Sequence, residues 1–285
     1  MTHPSRLVRA SARPTLTFLA IAAAVVAFSL MAAPARAGVY TVPGTCGQWS
    51  PFNADGSRIA VYPECPNLIA RNSGGAFNTG AGVAGGWRFD PPAGTAVVSV
   101  ELHGSLQGVN GWQATAYTEG TSARELINCP GANCPGASAL FQGTYPTHNS
   151  GAVVLRVRCG ASGGCSNRAL GGQIYLNTAS VTLADGSPPT ATLAGGSLLA
   201  GGWRGGTQTL VVDGTDNIGI QAARARIDGA LAGGSGRACN FGQKVPCSNG
   251  STSFAVPTRG LSDGSHQVSA SARCCRCSRS SPRPR

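Results

Sequence analysis

Ala96-Val-Val-Ser-Val-Glu-Leu-His103 and Ala152-Val-Val-Leu-Arg-Val-Arg-Cys159 are the segments that decide the fold class of this 285-residue chain. Apolar and polar residues alternate in both segments. Successive side chains of a β-strand point to opposite faces, so each segment predicts a strand with one buried face. Elsewhere, short runs rich in Val, Ile, Leu and Thr alternate with Gly, Pro, Asn and Asp, and no long stretch shows a helical apolar stripe. This pattern predicts an all-β protein.

The same reasoning predicts two sets of strands. They cover 38–42, 58–62, 82–90, 96–103, 112–119, 152–158 and 173–183, and then 191–193, 207–212, 221–227, 253–256 and 267–272. Asp185-Gly-Ser-Pro-Pro-Thr190 separates the sets, because its two prolines lack backbone donors and favour an extended chain. We therefore expect a jelly-roll or lectin-like β-sandwich over 38–186 and a second, smaller sandwich over 187–273.

The first 37 residues predict export. Arg6, Arg9 and Arg13 precede a 16-residue apolar run, and Ala35-Arg36-Ala37 follows with small residues at the positions that signal peptidase reads. A membrane anchor is the alternative, but it needs about 20 apolar residues. We expect a secretory signal peptide over 1–37, cleavage between Ala37 and Gly38, and a secreted or cell-surface mature chain without an integral membrane span.

The net charge of +11 does not indicate nucleic-acid binding. Nine of the 22 basic residues lie in the signal peptide or in the last 13 residues, and all 11 acidic residues lie between Asp55 and Asp263. The body from Gly38 to Ala272 therefore has 13 basic and 11 acidic residues, a net charge of +2. A phosphate-binding groove needs a clustered basic face, and this body has no such cluster in its sequence.

Eleven cysteines agree with an oxidising compartment. The first six can pair in 15 ways. Close spacing favours Cys129–Cys134 and Cys159–Cys165, which leaves Cys46–Cys65, and Cys239–Cys247 follows in the second sandwich. The alternative, a zinc site, is disfavoured because the body has no Cys-x-x-Cys pair and only three histidines.

The second sandwich contains three distinctive segments: Thr215-Asp-Asn-Ile-Gly-Ile220, Arg226-Ile-Asp-Gly229 and Leu261-Ser-Asp-Gly-Ser-His-Gln-Val268. In these segments it resembles bacterial immunoglobulin-like repeats. The whole layout also resembles a group of secreted actinobacterial proteins in which a cysteine-stapled β domain precedes such a module. The resemblance implies an Ig-like fold for 187–273 and carries no activity.

The chain departs from these repeats after Arg273. The repeats continue with Asp-Ala-Ala-Gly-Asn and a closing strand, whereas this chain continues with Cys-Cys-Arg-Cys-Ser-Arg-Ser-Ser-Pro-Arg-Pro-Arg over 274–285. A one-base shift converts codons for Cys-Cys-Arg into codons for Ala-Ala-Gly. We interpret the tail as a frameshift product; the alternative is a genuine basic, cysteine-rich segment. The first interpretation predicts an Ig-like module without its last strand, and therefore with an exposed edge.

Catalytic patterns are scarce in the sequence. Glu101 and His103 lie two apart on a predicted strand, where a solvated strand face explains them as well as acid–base chemistry does. Carboxylates for glycoside hydrolysis could come from Asp90, Glu101, Glu119 or Glu125, but no glycosidase motif accompanies them. We therefore expect no enzymatic activity and no cofactor.

Aromatic side chains are the remaining candidates for ligand binding, because aromatic faces stack on sugar rings. The chain has Trp49, Trp87, Trp112 and Trp203, and Trp112 is our first candidate because it lies beside polar residues. Tyr117 is the second candidate; it lies an odd number of positions from Trp112, which predicts the opposite strand face. Asp213, Asp216 and Asn217 are weak calcium candidates, because turn capping explains them equally well.

The sequence thus predicts a secreted or cell-surface protein that binds or adheres without catalysis. A glycan or cell-wall component is the most natural ligand, by analogy with other jelly-roll sandwiches. Two alternatives stay open: a structural spacer or matrix component without a specific ligand, and a carbohydrate-active enzyme. An exposed aromatic patch would favour binding, and a cleft with paired carboxylates would favour the enzyme.

Overall fold

The computed structural model describes residues 38–44, 46–53, 58–129 and 139–274. The predicted signal peptide, its cleavage residue Ala37, the tail 275–285 and Cys134 lie outside the described residues. The described residues contain no α-helix, so the all-β prediction is confirmed. They also contain no helix long and apolar enough to cross a membrane.

Nineteen strands make up the described chain. In the first sandwich they are β1 (Val39–Pro43), β2 (Ser50–Asn53), β3 (Ile59–Glu64), β4 (Asn67–Asn72), β5 (Asn78–Thr79), β6 (Ala84–Phe89), β7 (Thr95–Gly108), β8 (Trp112–Glu119), β9 (Glu125–Cys129), β10 (Ala139–Ser150), β11 (Ala152–Cys159), β12 (Cys165–Ser166) and β13 (Gly172–Asp185). In the second they are β14 (Thr190–Gly195), β15 (Thr207–Thr215), β16 (Ala222–Ile227), β17 (Ala230–Gly236), β18 (Gly250–Pro257) and β19 (Val268–Arg273).

Two antiparallel sheets form the first sandwich. One has the order β10-β7-β13-β4-β3, with β1 also paired to β13, and the other has the order β2-β6-β11-β8-β9. The two segments quoted at the outset lie in β7 and β11, near the middle of each sheet. Val153, Leu155 and Val157 alternate along β11 and are fully buried. Val97, Val100 and Leu102 of β7 are also fully buried, but a register shift in the pairing with β13 lies between Val97 and Ser99. Apart from this irregularity, the period of two places these side chains in the core.

Two three-stranded sheets form the second sandwich, in the orders β14-β15-β18 and β17-β16-β19. Its core is small, with Leu210, Val212, Ile227, Phe254 and Val256 as its large buried side chains. Within the described residues β19 pairs on one side only, with β16. In the repeats that this module resembles, the closing strand follows this point. The corresponding residues here are the tail 275–285, which lies outside the described residues.

The core of the first sandwich is shared with a few residues of the second, which also has the small core of its own described above. Ile218 and Cys247 belong to the second sandwich by sequence, but their side chains lie in the buried cluster of the first. The connection between β13 and β14 is only the four residues 186–189. The predicted break at Asp185–Thr190 therefore separates two sets of strands that remain packed together.

A disulfide-closed loop over 239–247 makes most of the polar contacts between the sandwiches. The Gln48 amide Nε2 donates to Gly242 O at 3.2 Å, and the Tyr40 hydroxyl donates to Lys244 O at 2.7 Å. The Lys244 ammonium lies 4.6 Å from the centre of the Phe89 ring, a cation–π contact. Burial lowers the pKa of Lys244 below its ordinary value. These contacts fix the loop, which we call the docking loop, on the first sandwich.

Three of the four predicted disulfides are present: Cys46–Cys65, Cys159–Cys165 and Cys239–Cys247. The fourth, Cys129–Cys134, includes a residue outside the described chain and stays a prediction. Each bond closes a loop of fewer than 20 residues, which limits the conformations of the unfolded chain more than those of the folded one.

Candidate ligand-binding groove

Trp112, the first candidate for stacking on a sugar, lies in the core. Its side chain has no exposed surface, and its indole Nε1 donates to Ser166 O at 3.0 Å. Gly171 packs so closely on the ring that an added Cβ would lie 2.3 Å from Cδ1 of Trp112. A covered ring offers no face to a ligand, so the structure corrects this expectation: Trp112 is a core residue.

Tyr117 lies on the outer face of the same strand, as its odd spacing from Trp112 predicts. It is half-buried, and burial raises the pKa of its hydroxyl. The Arg156 guanidinium covers the ring at 4.6 Å from its centre, and the hydroxyl donates to Glu119 Oε1 at 3.4 Å. One ring face and the hydroxyl are thus already occupied within the protein.

The four carboxylates considered for glycoside hydrolysis are divided between the two sheets of the first sandwich. Asp90 and Glu119 both accept hydrogen bonds from Arg88, on the side of the five-stranded sheet. Glu101 belongs to the six-stranded sheet, where it contacts His103 Nε2 at 3.1 Å and the Ser180 hydroxyl at 3.1 Å. Glu125 begins the edge strand β9 and is exposed. Glu101 and His103 thus form part of a solvated strand face.

A groove in the second sandwich has an exposed aromatic side chain, which the buried Trp112 does not provide. Its volume is about 540 Å³, within the range of small-molecule sites. Apolar side chains of Leu198, Ile227, Leu261 and Val268 line it together with the indole of Trp203 and the polar groups of 262–266. It therefore combines an apolar surface, an aromatic ring and polar groups around one concave space.

Trp203 stands out because 82% of its side chain is exposed, whereas Trp49, Trp87 and Trp112 are at most 4% exposed. It lies on a loop that its neighbour Arg204 holds in place. The guanidinium of Arg204 donates from Nε to Ala200 O at 2.9 Å and from a terminal nitrogen to Gly201 O at 2.6 Å. These bonds restrain the backbone that precedes Trp203, which reduces the entropy that the loop loses when a ligand binds.

His266 provides a fixed polar group in the groove. Its Nδ1 lies 2.6 Å from Asp228 Oδ2, and its Nε2 lies 2.8 Å from Ser262 O. The hydrogen bond with Asp228 raises the pKa of His266, and the same bond lowers the pKa of Asp228. Both neighbours of the ring are acceptors, so the protonated imidazole suits this position best.

Sequence reasoning named Trp203 but did not find the groove. The sequence feature that could have indicated an exposed Trp203 is its position between two glycine pairs, in Gly201-Gly-Trp-Arg-Gly-Gly206. A large aromatic residue between glycine pairs has no alternating partners in sequence, so nothing marks it for a strand or a core. Its partners in the groove come from distant turns, at 227 and 261–268, and only the fold brings these together.

The three calcium candidates are not grouped as expected. The Asp213 carboxylate accepts a hydrogen bond from the Ser251 hydroxyl at 3.2 Å. Asp216 instead lies with Asp185 and Cys274. The Asn217 amide Nδ2 donates to Ala93 O at 2.8 Å, which ties its turn to the first sandwich.

No family model matches the chain, and no curated protein matches it. Among solved structures, it is similar to the glycoside hydrolase domain of Endo-D from Streptococcus pneumoniae R6, with 12% identity over 83% of this chain and 43% of that chain, at a TM-score of 0.29. The structure of infectious bursal disease virus, Gt strain, shares 18% identity over 53% of this chain and 33% of that chain, at a TM-score of 0.19. The chain spans less than half the length of both. Similarities at these TM-scores carry no argument about function.

Proposed function

We propose that this is a secreted or cell-surface protein that binds a glycan, without cleaving it, in the groove beside Trp203. The observation that supports the proposal is the single exposed indole, which lines a concave site with polar groups. Sugar rings have apolar C–H faces and polar edges, so they need an aromatic face with hydrogen-bonding groups beside it. Trp203, with Asp263 and Ser265 in the same groove, has this arrangement.

An insoluble or extracellular polysaccharide fits the predicted export and the three disulfides. Such a ligand presents many identical sugar units, so a site that holds one or two units can give useful retention through repeated encounters. The competing proposal, a structural spacer, predicts that the groove stays without a ligand.

Trp203 permits a direct test by fluorescence. The other three tryptophans are buried, so soluble quenchers reach Trp203 first and a bound sugar protects it. We expect a blue shift of emission and weaker acrylamide quenching when cellulose, chitin or peptidoglycan oligosaccharides are titrated into the mature chain. Trp203→Phe should remove both responses.

A pull-down on the insoluble polymers tests the energetics. Trp203→Ala should weaken retention about tenfold or more, which corresponds to about 1.4 kcal/mol. Leu231→Ala is the matched control, because Leu231 is 60% exposed on the same sandwich and does not line the groove. Equal retention of both variants would refute this site. Release of reducing sugar from any polymer would refute binding without cleavage, and no retention of the wild type would favour the spacer.

A further inference from the structure

Three chain segments end at one place, where the two sandwiches meet. Asp185 is the last residue of β13, Asp216 follows β15 directly, and Cys274 follows β19 directly. One ligand atom from each side chain lies within 4.8 Å of the other two. Residues from both sandwiches therefore bring two carboxylates and a thiol to a single point.

Burial makes this arrangement costly without a further partner. Asp185 is fully buried; its Oδ1 accepts from the Ser187 backbone N–H at 3.0 Å, and its Oδ2 forms no regular hydrogen bond within the described residues, although the Cys274 thiol lies close enough to interact with this carboxylate. Both carboxylate oxygens of Asp216 are also buried, and the backbone N–H groups of Asn217 and Ile218 approach this carboxylate without forming regular hydrogen bonds with it. Buried carboxylate oxygens without donors or cations are strongly unfavourable in proteins.

Neighbouring groups do not remove this deficit. Within the described chain no Lys, Arg or His forms an ion pair with Asp185 or Asp216. The adjacent Asn217 adds another buried acceptor, since its Oδ1 has no partner either. A proton could bridge two of these oxygens, whereas a divalent cation would satisfy several of them and neutralise both carboxylates.

The donor types select the cation. Calcium and magnesium bind oxygen ligands and do not use a thiol. Zinc binds thiolate and carboxylate ligands in the same site, usually with four ligands in total. Cys274 is a free, buried cysteine, so its sulfur is available as a ligand, and on binding its proton would pass to solvent.

We propose that Asp185, Asp216 and Cys274 form a zinc site that joins the two sandwiches. Water would supply a fourth ligand. The site is structural: it ties the ends of β13, β15 and β19 to one cation at the joint. This proposal is independent of glycan binding in the groove.

Cobalt provides the sharpest test, because a cobalt–thiolate bond absorbs in the near ultraviolet. All proteins carry Cys275→Ser and Cys277→Ser, so that tail thiols cannot ligate the metal. We expect one Co²⁺ per chain with thiolate absorption, displacement by Zn²⁺, and a rise in melting temperature of about 5 to 10 °C at a Zn²⁺ concentration 100 times Kd. The cobalt spectrum of this otherwise unchanged protein decides the proposal even if further variants fold poorly.

Variants assign the ligands. Cys274→Ser should abolish the thiolate absorption, and Asp216→Asn should weaken Zn²⁺ binding at least tenfold. Asp213→Asn is the matched control, because it removes a nearby carboxylate outside the cluster and should leave binding unchanged. Absence of thiolate absorption, its persistence in Cys274→Ser, or stabilisation by Ca²⁺ but not by Zn²⁺ would each overturn the zinc site.

Discussion

The docking loop should couple the unfolding of the two sandwiches, and removing its disulfide tests this. We consider the double variant Cys239→Ala and Cys247→Ala. The bond closes a loop with a sequence separation of 8. In the chain-entropy relation this loop lowers the entropy of the unfolded chain by about 8 cal/mol/K, which gives about 2.5 kcal/mol at 25 °C.

A second bond supplies the matched control. Cys159–Cys165 has a sequence separation of 6 and lies within the first sandwich. The same relation gives about 2.2 kcal/mol, so the two removals should cost similar free energies of unfolding. The two disulfides differ in position. Of the two loops that they close, the docking loop is the one that contacts the other sandwich, for example through the hydrogen bond from Tyr40 to Lys244 O.

Urea unfolding followed by far-ultraviolet circular dichroism and tryptophan fluorescence distinguishes the two effects. The wild type should unfold in one transition, because Ile218 and Cys247 complete the core of the first sandwich. With an m-value of about 2.5 kcal/mol/M, either double variant should lower the midpoint by about 1 M. Removal of Cys239–Cys247 should in addition separate the two probes, since the second sandwich then unfolds first.

The reasoning would be refuted if circular dichroism and tryptophan fluorescence gave the same unfolding transition in the docking-loop variant. It would also be refuted if the wild type itself unfolds in two steps, because the shared core would then not couple the sandwiches. In the Cys159–Cys165 control we expect the urea midpoint to fall while both probes still report the same transition.

Two further predictions concern the second sandwich. The folded pKa of His266 lies above its ordinary value of 6.5, so its stabilising contribution is complete below pH 6.5 and is lost as pH rises through the raised pKa. The folded pKa of Asp228 lies below its ordinary value of 3.8, so its contribution is present above pH 3.8 and is lost as pH falls through the lowered pKa. The melting temperature of the wild type should therefore exceed that of His266→Gln most at pH 5 to 6 and least at pH 9, and a difference independent of pH would contradict the ion pair. Gly219→Ala should lower the free energy of unfolding by about 2 kcal/mol or more, because Gly219 has a φ of +80° and an added Cβ would lie 1.9 Å from Cys247 O; chemical denaturation measures it, and an unchanged midpoint would show that the turn can move away from the docking loop.

The fold class could be predicted from the sequence because strands with one buried face, such as β7 and β11, have largely alternating apolar and polar residues. The predicted strand over 112–119 coincides with β8. Seven strands were missed, and β17 and β10 show the physical reason; the seven are β2, β4, β5, β9, β10, β12 and β17. Ala230–Gly236 has four small or flexible residues, Gly233, Gly234, Gly236 and Ser235, and Ala139–Ser150 is largely exposed, so neither carries an alternating apolar signal.

The candidate site was less accessible because it depends on long-range contacts. A tryptophan beside polar residues in a strand, such as Trp112, has the same local pattern whether its ring faces the core or solvent. Trp203 lies in a glycine-rich loop with no periodicity to read. Disulfides of short span were easier, since neighbouring cysteines in one loop have few other partners.

The shared core also has a consequence for the order in which the chain acquires its structure. The last strand of the first sandwich ends at Asp185, yet its core takes in Ile218, Cys247 and Cys274, which are synthesised later. A domain that emerges first usually folds first. Here the N-terminal half must wait, with part of its interior exposed, until nearly 90 further residues have arrived. The export predicted from the sequence, in an unfolded state, would suit such a chain, because both halves would then cross the membrane before either folds.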